Sequence, residues 1–345
     1  MRVLITGHRG YIGSVLTRRL LERGFEVTGI DAGFFDECVL PGARRASPGR
    51  DLTGDIRDLA WRDISGHDAV VHLAALSNDP IGNLNETWTA DINLRASVRL
   101  AELARESRVP RFLFSSSCIM YGAAAVEGLV NEQSPLDPKT EYARSKVAAE
   151  RELSRLAGSG FSPVFLRNGT IYGYSPAMRF DTVINSLVGS ALATGRVTIH
   201  SDGEPWRPVV HVSDVAAAFE TALTAPIELL HNQAINTGAA ACNCQVKEMA
   251  RVVAGQVPGC TVECLRQAGA DQRTYRTDFE KIGRLLAGWA PRIGLEEGVA
   301  GLVRDLGPMP RALFEDPRFT RLAWLRKRLD EGSLDGALRG TEVVA

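Results

Sequence analysis

The chain has no surplus of one charge, no long apolar run and few cysteines. Its 345 residues carry 40 Lys and Arg against 41 Asp and Glu, a formal net charge of −1. With no extended basic run, that balance leaves no electrostatic footprint for a polyanion and argues against nucleic acid as a partner. No stretch reaches the roughly 18 apolar residues of a membrane span, and the first residues read as a strand instead of a signal peptide. No membrane association and a cytoplasmic location are therefore expected. Six cysteines in so long a chain make no disulfide framework. Cys242, Cys244, Cys260 and Cys264 lack a familiar zinc spacing, and no metal site is expected. Internal repeats and low-complexity tracts are missing as well. What remains, 45% hydrophobic, is an ordinary globular composition in a chain too long for one core, and two domains are expected.

The most informative segment is residues 1–13, where a short apolar strand pattern (Arg2 to Thr6) runs directly into Gly7, Gly10 and Gly13. Behind them Ile12, Val15, Leu16 and Leu20 recur at helical spacing. Glycines at a strand-to-helix turn permit a sharp bend, a close approach to a pyrophosphate and tight packing of helix on strand. The free N–H groups at the start of the helix, where Tyr11 and Ile12 stand, suit the phosphates. Glu26 to Ile30 form a second strand, and Asp31 ends it where a carboxylate can accept hydrogen bonds from an adenosine ribose. Asp31 disfavours a 2′-phosphate, which selects NAD over NADP; Arg9, inside the loop, is the one residue that keeps NADP open.

Strand and helix patterns continue to alternate: Asp68 to Leu73, Asp91 to Glu106, Arg111 to Ser115, Glu141 to Ala157, Ser162 to Arg167. Such alternation implies a parallel sheet with helices on both faces. The fold class expected is α/β, a Rossmann-type doubly wound parallel sheet with a smaller, discontinuous α+β substrate domain. Residues 1–173 plus 208–238 would form the dinucleotide-binding domain and 174–207 plus 239–307 the substrate domain. Residues 308–345, with Leu322, Leu325, Leu329 and Leu334 near helical spacing, would form a helical tail packed on the body or on a second subunit.

Chemistry-bearing residues cluster at predicted strand ends. Phe114 to Gly122 place Ser115 and Ser117 where open parallel sheets bind ligands. Tyr142 and Lys146 stand four apart on the next helix, hence on one face. A phenol with a pKa near 10 needs about 4 kcal/mol of differential stabilisation to ionise near neutrality, and positive charge from Lys146 and an oxidised nicotinamide acts in that direction.

These motifs together resemble the extended short-chain dehydrogenase/reductase family, in its nucleotide-sugar epimerase and dehydratase group, over about residues 1–305. Further matches are Asp55-Ile56-Arg57-Asp58, His72-Leu73-Ala74-Ala75, Asn93, Leu166-Arg167, Tyr172-Gly173, Arg207 and His211-Val212 with Asp214. The resemblance implies that Asp55 and Ile56 border the adenine, that Leu73, Ala74, Ala75, Asn93 and Ser115 belong to the cofactor site, and that Lys146 binds the nicotinamide ribose. Ser117 would hold the sugar hydroxyl that Tyr142 deprotonates. Arg207 would grip the substrate diphosphate, a task suited to a bidentate guanidinium. Arg273 falls where the family contacts the nucleotide. Asn168 and Thr170 would meet the substrate phosphates, Thr170 standing where relatives often carry asparagine. Ser77, Asn78 and Asp79 could reach the sugar or simply form the turn before Pro80.

Departures from the family pattern narrow the reaction. Dehydratases of the group carry at least a glutamate after the catalytic Ser or Thr, where this chain has Cys118 and Ile119. Isoleucine moves no proton, and elimination needs both a base and an acid. Cys118 reads first as a small packed residue, with acid/base catalysis or substrate contact as the alternative. The expectation is an NAD-dependent nucleotide-sugar epimerase working by transient oxidation, most simply at the 4-position, with a homodimer formed through the helices near 91–106 and 141–157. Alternatives are a nucleotide-sugar dehydrogenase or ketoreductase with net NADH turnover, a dehydratase, and, outside enzymes, a catalytically silent NAD or sugar-nucleotide sensor.

Overall fold

The computed structural model describes residues 1–122, 128–265 and 273–341. Strands Arg2–Thr6 (β1), Glu26–Asp31 (β2), Arg50–Thr53 (β3), Ala69–His72 (β4), Arg111–Ser117 (β5), Ser162–Asn168 (β6) and Gln233–Thr237 (β7) form one sheet. All pairings are parallel, in the spatial order β7-β6-β5-β4-β1-β2-β3, and the chain reverses direction across the sheet between β1 and β4. Val3, Leu4 and Ile5 are fully buried, as a central parallel strand covered on both faces requires. The polar strand β3 lies at the sheet edge with most of its residues exposed; its Arg-Asp-Leu-Thr sequence carries no apolar run, which is why the hydrophobic pattern did not mark it.

Helices cover both faces. On one, Tyr11–Glu22 (α1) inserts Leu16 and Leu20 beside Val3, Ile5 and the helix Val212–Thr224. On the other, Leu100 and Ala101 of Ala96–Glu106 and Ala149 and Leu153 of Glu141–Arg155 pack with Leu4, Val70 and Phe112. The helix expected over 91–106 begins as a π-helical turn, Ala90–Arg95, from which Asn93 reaches the backbone of Leu76.

A third core gathers Tyr172, Phe180, Leu187, Val209, Met249 and Leu302 around a smaller sheet. There Trp206–His211 pairs parallel with Thr170–Tyr172 and antiparallel with Asn243–Gln245. Both strands leave the major sheet, although Val210 still packs with Val3 and Ile5. Gly169 makes the departure possible, because a Cβ there would lie 3.0 Å from the Pro208 carbonyl oxygen. The C-terminal segment packs on its own chain, with Leu325 and Leu338 fully buried in the second core; residues 342–345 of the expected tail lie outside the described residues. Among the described residues no helix is long and apolar enough to cross a membrane.

Candidate active site

The principal cleft opens at the C-terminal ends of β1, β2, β4 and β5, at the reversal point of the sheet. Its floor is the glycine turn. Gly7 has φ +76°, and a Cβ there would stand 2.7 Å from Ala74 N, so the turn and the loop after β4 approach as only glycine allows. Gly10, Tyr11, Ile12 and Gly13 continue the lining at the N-terminus of α1. Gly10 caps that helix without a side-chain acceptor, which leaves the first-turn N–H groups directed at the cleft. Ser14, whose hydroxyl donates to the Gly10 carbonyl oxygen at 2.8 Å, steadies the turn.

Asp31 ends β2 at the cleft, and its carboxylate accepts from Gly33 N (3.0 Å) and Arg9 N (3.1 Å). Asp55, Ile56, Leu73, Ala74 and Ala75 also line the cleft. Burial opposes the Asp55 charge, but hydrogen bonds from Arg57 outweigh it and hold the carboxyl below its ordinary range. Three residues expected at the cofactor, Arg9, Asn93 and Lys146, do not line the cleft. The Arg9 guanidinium is taken by Asp36 (2.7 Å) and Asp51 (2.6 Å) and does not line the cleft. Asn93 is fully buried behind the wall, where its amide exchanges hydrogen bonds with Leu76 N (2.8 Å) and O (3.1 Å). It fixes the loop after β4 that lines the cleft.

At the far end Ser115 and Ser117 of β5 face Tyr142, the second residue of the helix Glu141–Arg155. Thr140 caps that helix, accepting from Ala143 N, and so places the phenol at the cleft. Desolvation pushes the Tyr142 pKa up to about 12, and Asp79 adds to the rise; the Arg179 charge and a hydrogen bond with Ser117 work the other way. Lys146 Nζ donates to the Ser115 carbonyl oxygen at 2.8 Å and stands 5.9 Å from the Tyr142 ring centroid. Its burial lowers the amine to about 7, with Glu150 opposing. Arg179 is thus a cation acting on the phenol in addition to the expected Lys146.

Ser77, Asn78, Asn168 and Thr170 line the cleft. Asn168 donates to Ser115 Oγ (3.2 Å), and its own Oδ1 is buried without a hydrogen-bond partner. Cys118 takes the packed place and not that of a substrate contact: it is fully buried at the start of the 3-10 turn Cys118–Tyr121, its thiol directed at the Arg167 carbonyl oxygen (3.1 Å). Burial raises its thiol pKa strongly, so it is neither substrate contact nor base. Arg207 lies beyond the lining, donating to the carbonyl oxygen of Trp206 at 2.9 Å and to that of Arg273. Arg273 reaches the cleft through Asp79, to which Nη1 pairs at 2.6 Å.

Sequence patterns did not reveal three further groups. Arg179 pairs with Asp181 (2.5 Å) and donates to Ser77 Oγ (3.1 Å), with Nη2 buried and unpartnered. Phe34 and Phe35 line the cleft beside Asp31, and Arg321 enters it from the C-terminal segment. The Arg179-Phe180-Asp181 triplet in a turn-rich stretch was a visible signal; nothing near Arg321 marked it.

The glycine cradle, the exposed helix N-terminus and the Asp31 carboxylate fit a dinucleotide. Residues 3–238 match the model of the NAD dependent epimerase/dehydratase family. The chain belongs to that family. It is similar to the UDP-glucose 4-epimerase of Mycolicibacterium smegmatis, 30% identical over 321 residues that cover 88% of this chain and 97% of the relative. It is also similar to the dTDP-glucose 4,6-dehydratase of Streptomyces niveus, 28% identical over 316 residues, 88% of this chain and 92% of the relative. The solved structure of Thermus thermophilus UDP-glucose 4-epimerase in complex with NAD superposes with a TM-score of 0.72 at 26% identity, covering 92% of this chain and 99% of that one. This member of the epimerase/dehydratase family is accordingly an NAD-dependent enzyme with the Rossmann-type fold of its relatives.

Proposed function

We propose that the chain is an epimerase of a nucleotide-activated sugar, inverting the 4-position by transient oxidation to a keto-sugar and return of the hydride. One observation carries this reading. Ser117 and Tyr142 meet in the cleft, while the two residues after Ser117 supply only the apolar wall of Ile119 and a thiol turned into the core. NAD supplies the hydride acceptor and donor when bound. Tyr142 takes the hydroxyl proton and later returns it, with Ser117 holding the same hydroxyl. Asn168, with its unpaired Oδ1, and Thr170 position the substrate near the phosphates, and the Arg207–Arg273 edge lies toward the nucleotide. No net redox change accompanies the reaction, and no acid or base beyond Tyr142 is required.

A specific observation favours dehydration as the second reading. Asp79 lines the cleft and its charge acts on Tyr142, so a carboxylate is present, though held by Arg273 and by Thr140 Oγ1 at 2.5 Å. The test is NMR of UDP-, GDP-, CDP- and dTDP-sugars incubated with the enzyme in deuterated water, with absorbance followed at the NADH band. Inversion without NADH accumulation or carbon-bound deuterium supports the epimerase. Deuterium at carbon with loss of a hydroxyl establishes the dehydratase, and stoichiometric NADH a dehydrogenase.

We also propose a homodimer through the helices Ala96–Glu106 and Glu141–Arg155, on which Val98 and Val147 stay half-buried. Sedimentation velocity at micromolar concentration tests it; a single monomer boundary refutes it.

A further inference from the structure

The C-terminal segment follows the residues that the family model covers, yet it contributes to the wall of the cleft. Arg321, first residue of the helix Arg321–Asp330, is 3% exposed and lines the same cleft as Gly10 and Tyr11. Its guanidinium donates to the carbonyl oxygens of Ala177 (2.9 Å) and Arg318 (3.2 Å) and stacks over the Phe35 ring at 4.9 Å. Among the described residues no carboxylate forms an ion pair with this side chain. Asp181, whose charge reaches it, is bound by Arg179 Nε (2.5 Å) and Asn78 Nδ2 (3.0 Å) and accepts only the backbone N–H of Arg321 (3.0 Å). Two buried guanidiniums therefore share one buried carboxylate. A surplus positive charge of this kind, shielded from water, is stabilised by an anionic ligand.

The position indicates which anion. Phe35, under the guanidinium, belongs to the loop after Asp31, and Tyr11, on which the Arg321 charge acts, is the first residue of α1. Arg321 and Phe35 thus line the same cleft as Gly10, Tyr11 and Ile12, at the helix N-terminus where a dinucleotide places its pyrophosphate. The segment is fastened along the adenine side as well. Trp324 Nε1 donates to the Phe34 carbonyl oxygen (2.9 Å), and Arg57 donates to those of Ala337 (2.7 Å) and Leu338 (2.6 Å). Arg339 pairs with the cleft residue Asp55 at 3.4 Å.

We propose that Arg321 is a ligand of the dinucleotide pyrophosphate, so that the C-terminal segment is an integral part of the cofactor site. The proposal requires NAD as cofactor and is independent of which sugar reaction follows. Calorimetric titration of Arg321→Gln with NAD and, separately, with UDP-glucose and dTDP-glucose tests it. The NAD dissociation constant should rise about tenfold to a hundredfold, as for a lost charge-assisted hydrogen bond, with sugar-nucleotide affinity unchanged. Unchanged NAD affinity overturns the proposal, whether or not sugar-nucleotide binding weakens; the latter result would assign the guanidinium to the substrate diphosphate. Should the variant fail to fold, hydrogen exchange of the wild-type chain decides. NAD and ADP-ribose should slow exchange across 321–330 while nicotinamide mononucleotide does not, and equal exchange in all states overturns the proposal.

Discussion

Lys146 donates from Nζ to the Ser115 carbonyl oxygen at 2.8 Å, which pins the amine to the strand that ends in Ser117. The catalytic helix and the serine strand are thereby joined at one buried point, and Phe114, with its ring centroid 4.4 Å from Nζ, closes the space around it. The arrangement is costly to the fold and useful to the site.

That cost is measurable. Burial lowers the Lys146 amine from 10.5 to about 7. Between those values the unfolded chain binds a proton that the folded chain does not, so stability rises with pH across the window, and the full cost of the buried ammonium is present below about pH 7. Lys146→Met should abolish turnover yet stabilise the NAD-free protein near pH 6, on the order of 2–4 kcal/mol, with the gain shrinking toward pH 10. Urea denaturation at several pH values reads this directly; a gain independent of pH would clear the amine of responsibility.

Tyr142→Phe should lower kcat by about 10²–10⁴ while NAD binding stays intact. Desolvation and Asp79 raise the phenol pKa, the positive charge of an oxidised nicotinamide acts the other way, and the Phe variant removes only the group that exchanges the proton. Calorimetry beside single-turnover assays separates the two. Undiminished turnover would remove Tyr142 from the chemistry, and a ligand response without any turnover in the wild type would favour a sensor.

Asp31→Ala should weaken NAD binding about tenfold or more, because it removes a ribose acceptor and leaves the N–H groups of Gly33 and Arg9 unpaired. NADP should gain relative to NAD without reaching wild-type NAD affinity, since Asp36 and Asp51 still hold the Arg9 guanidinium. Adding Asp51→Asn should improve NADP binding further. Binding isotherms for both cofactors check the order; NADP preference in the wild type would overturn the role of Asp31.

Glu150 and Arg167 form a buried pair at 2.6 Å, extended to Ser116 Oγ (2.5 Å) and Tyr121 Oη (3.0 Å). Glu150→Gln should destabilise the fold by about 3–5 kcal/mol by stranding the guanidinium, whereas replacing both partners with apolar residues should cost less than that single change. A double-mutant cycle in denaturant tests the coupling, and additive losses would contradict it.

Much of the molecule was legible without coordinates. Gly7, Gly10 and Gly13 follow a strand and open a helix, and such a turn depends on contiguous residues. The same holds for Tyr142 and Lys146, whose spacing on one helix puts them on one face. Strands from β1 to β6, except the polar β3, announced themselves through apolar runs between turn residues. Neither the strand at 206–211 nor its sheet was marked by a local pattern, since pairing partners are chosen by contacts distant in sequence.

The amino-acid order by itself determined that this chain builds a doubly wound parallel sheet with a glycine turn, an acidic strand end and a serine–tyrosine–lysine set, because each of these is encoded within a few residues by periodicity and backbone freedom. Only the tertiary structure decided what those groups face. It turned Cys118 into the core, set Asn93 behind the cleft wall, brought the charges of Asp79 and Arg179 to bear on Tyr142, and brought Arg321 to Phe35 from 286 positions along the chain. Such choices arise from packing and from the pairing of buried charges between remote segments, for which no local pattern exists.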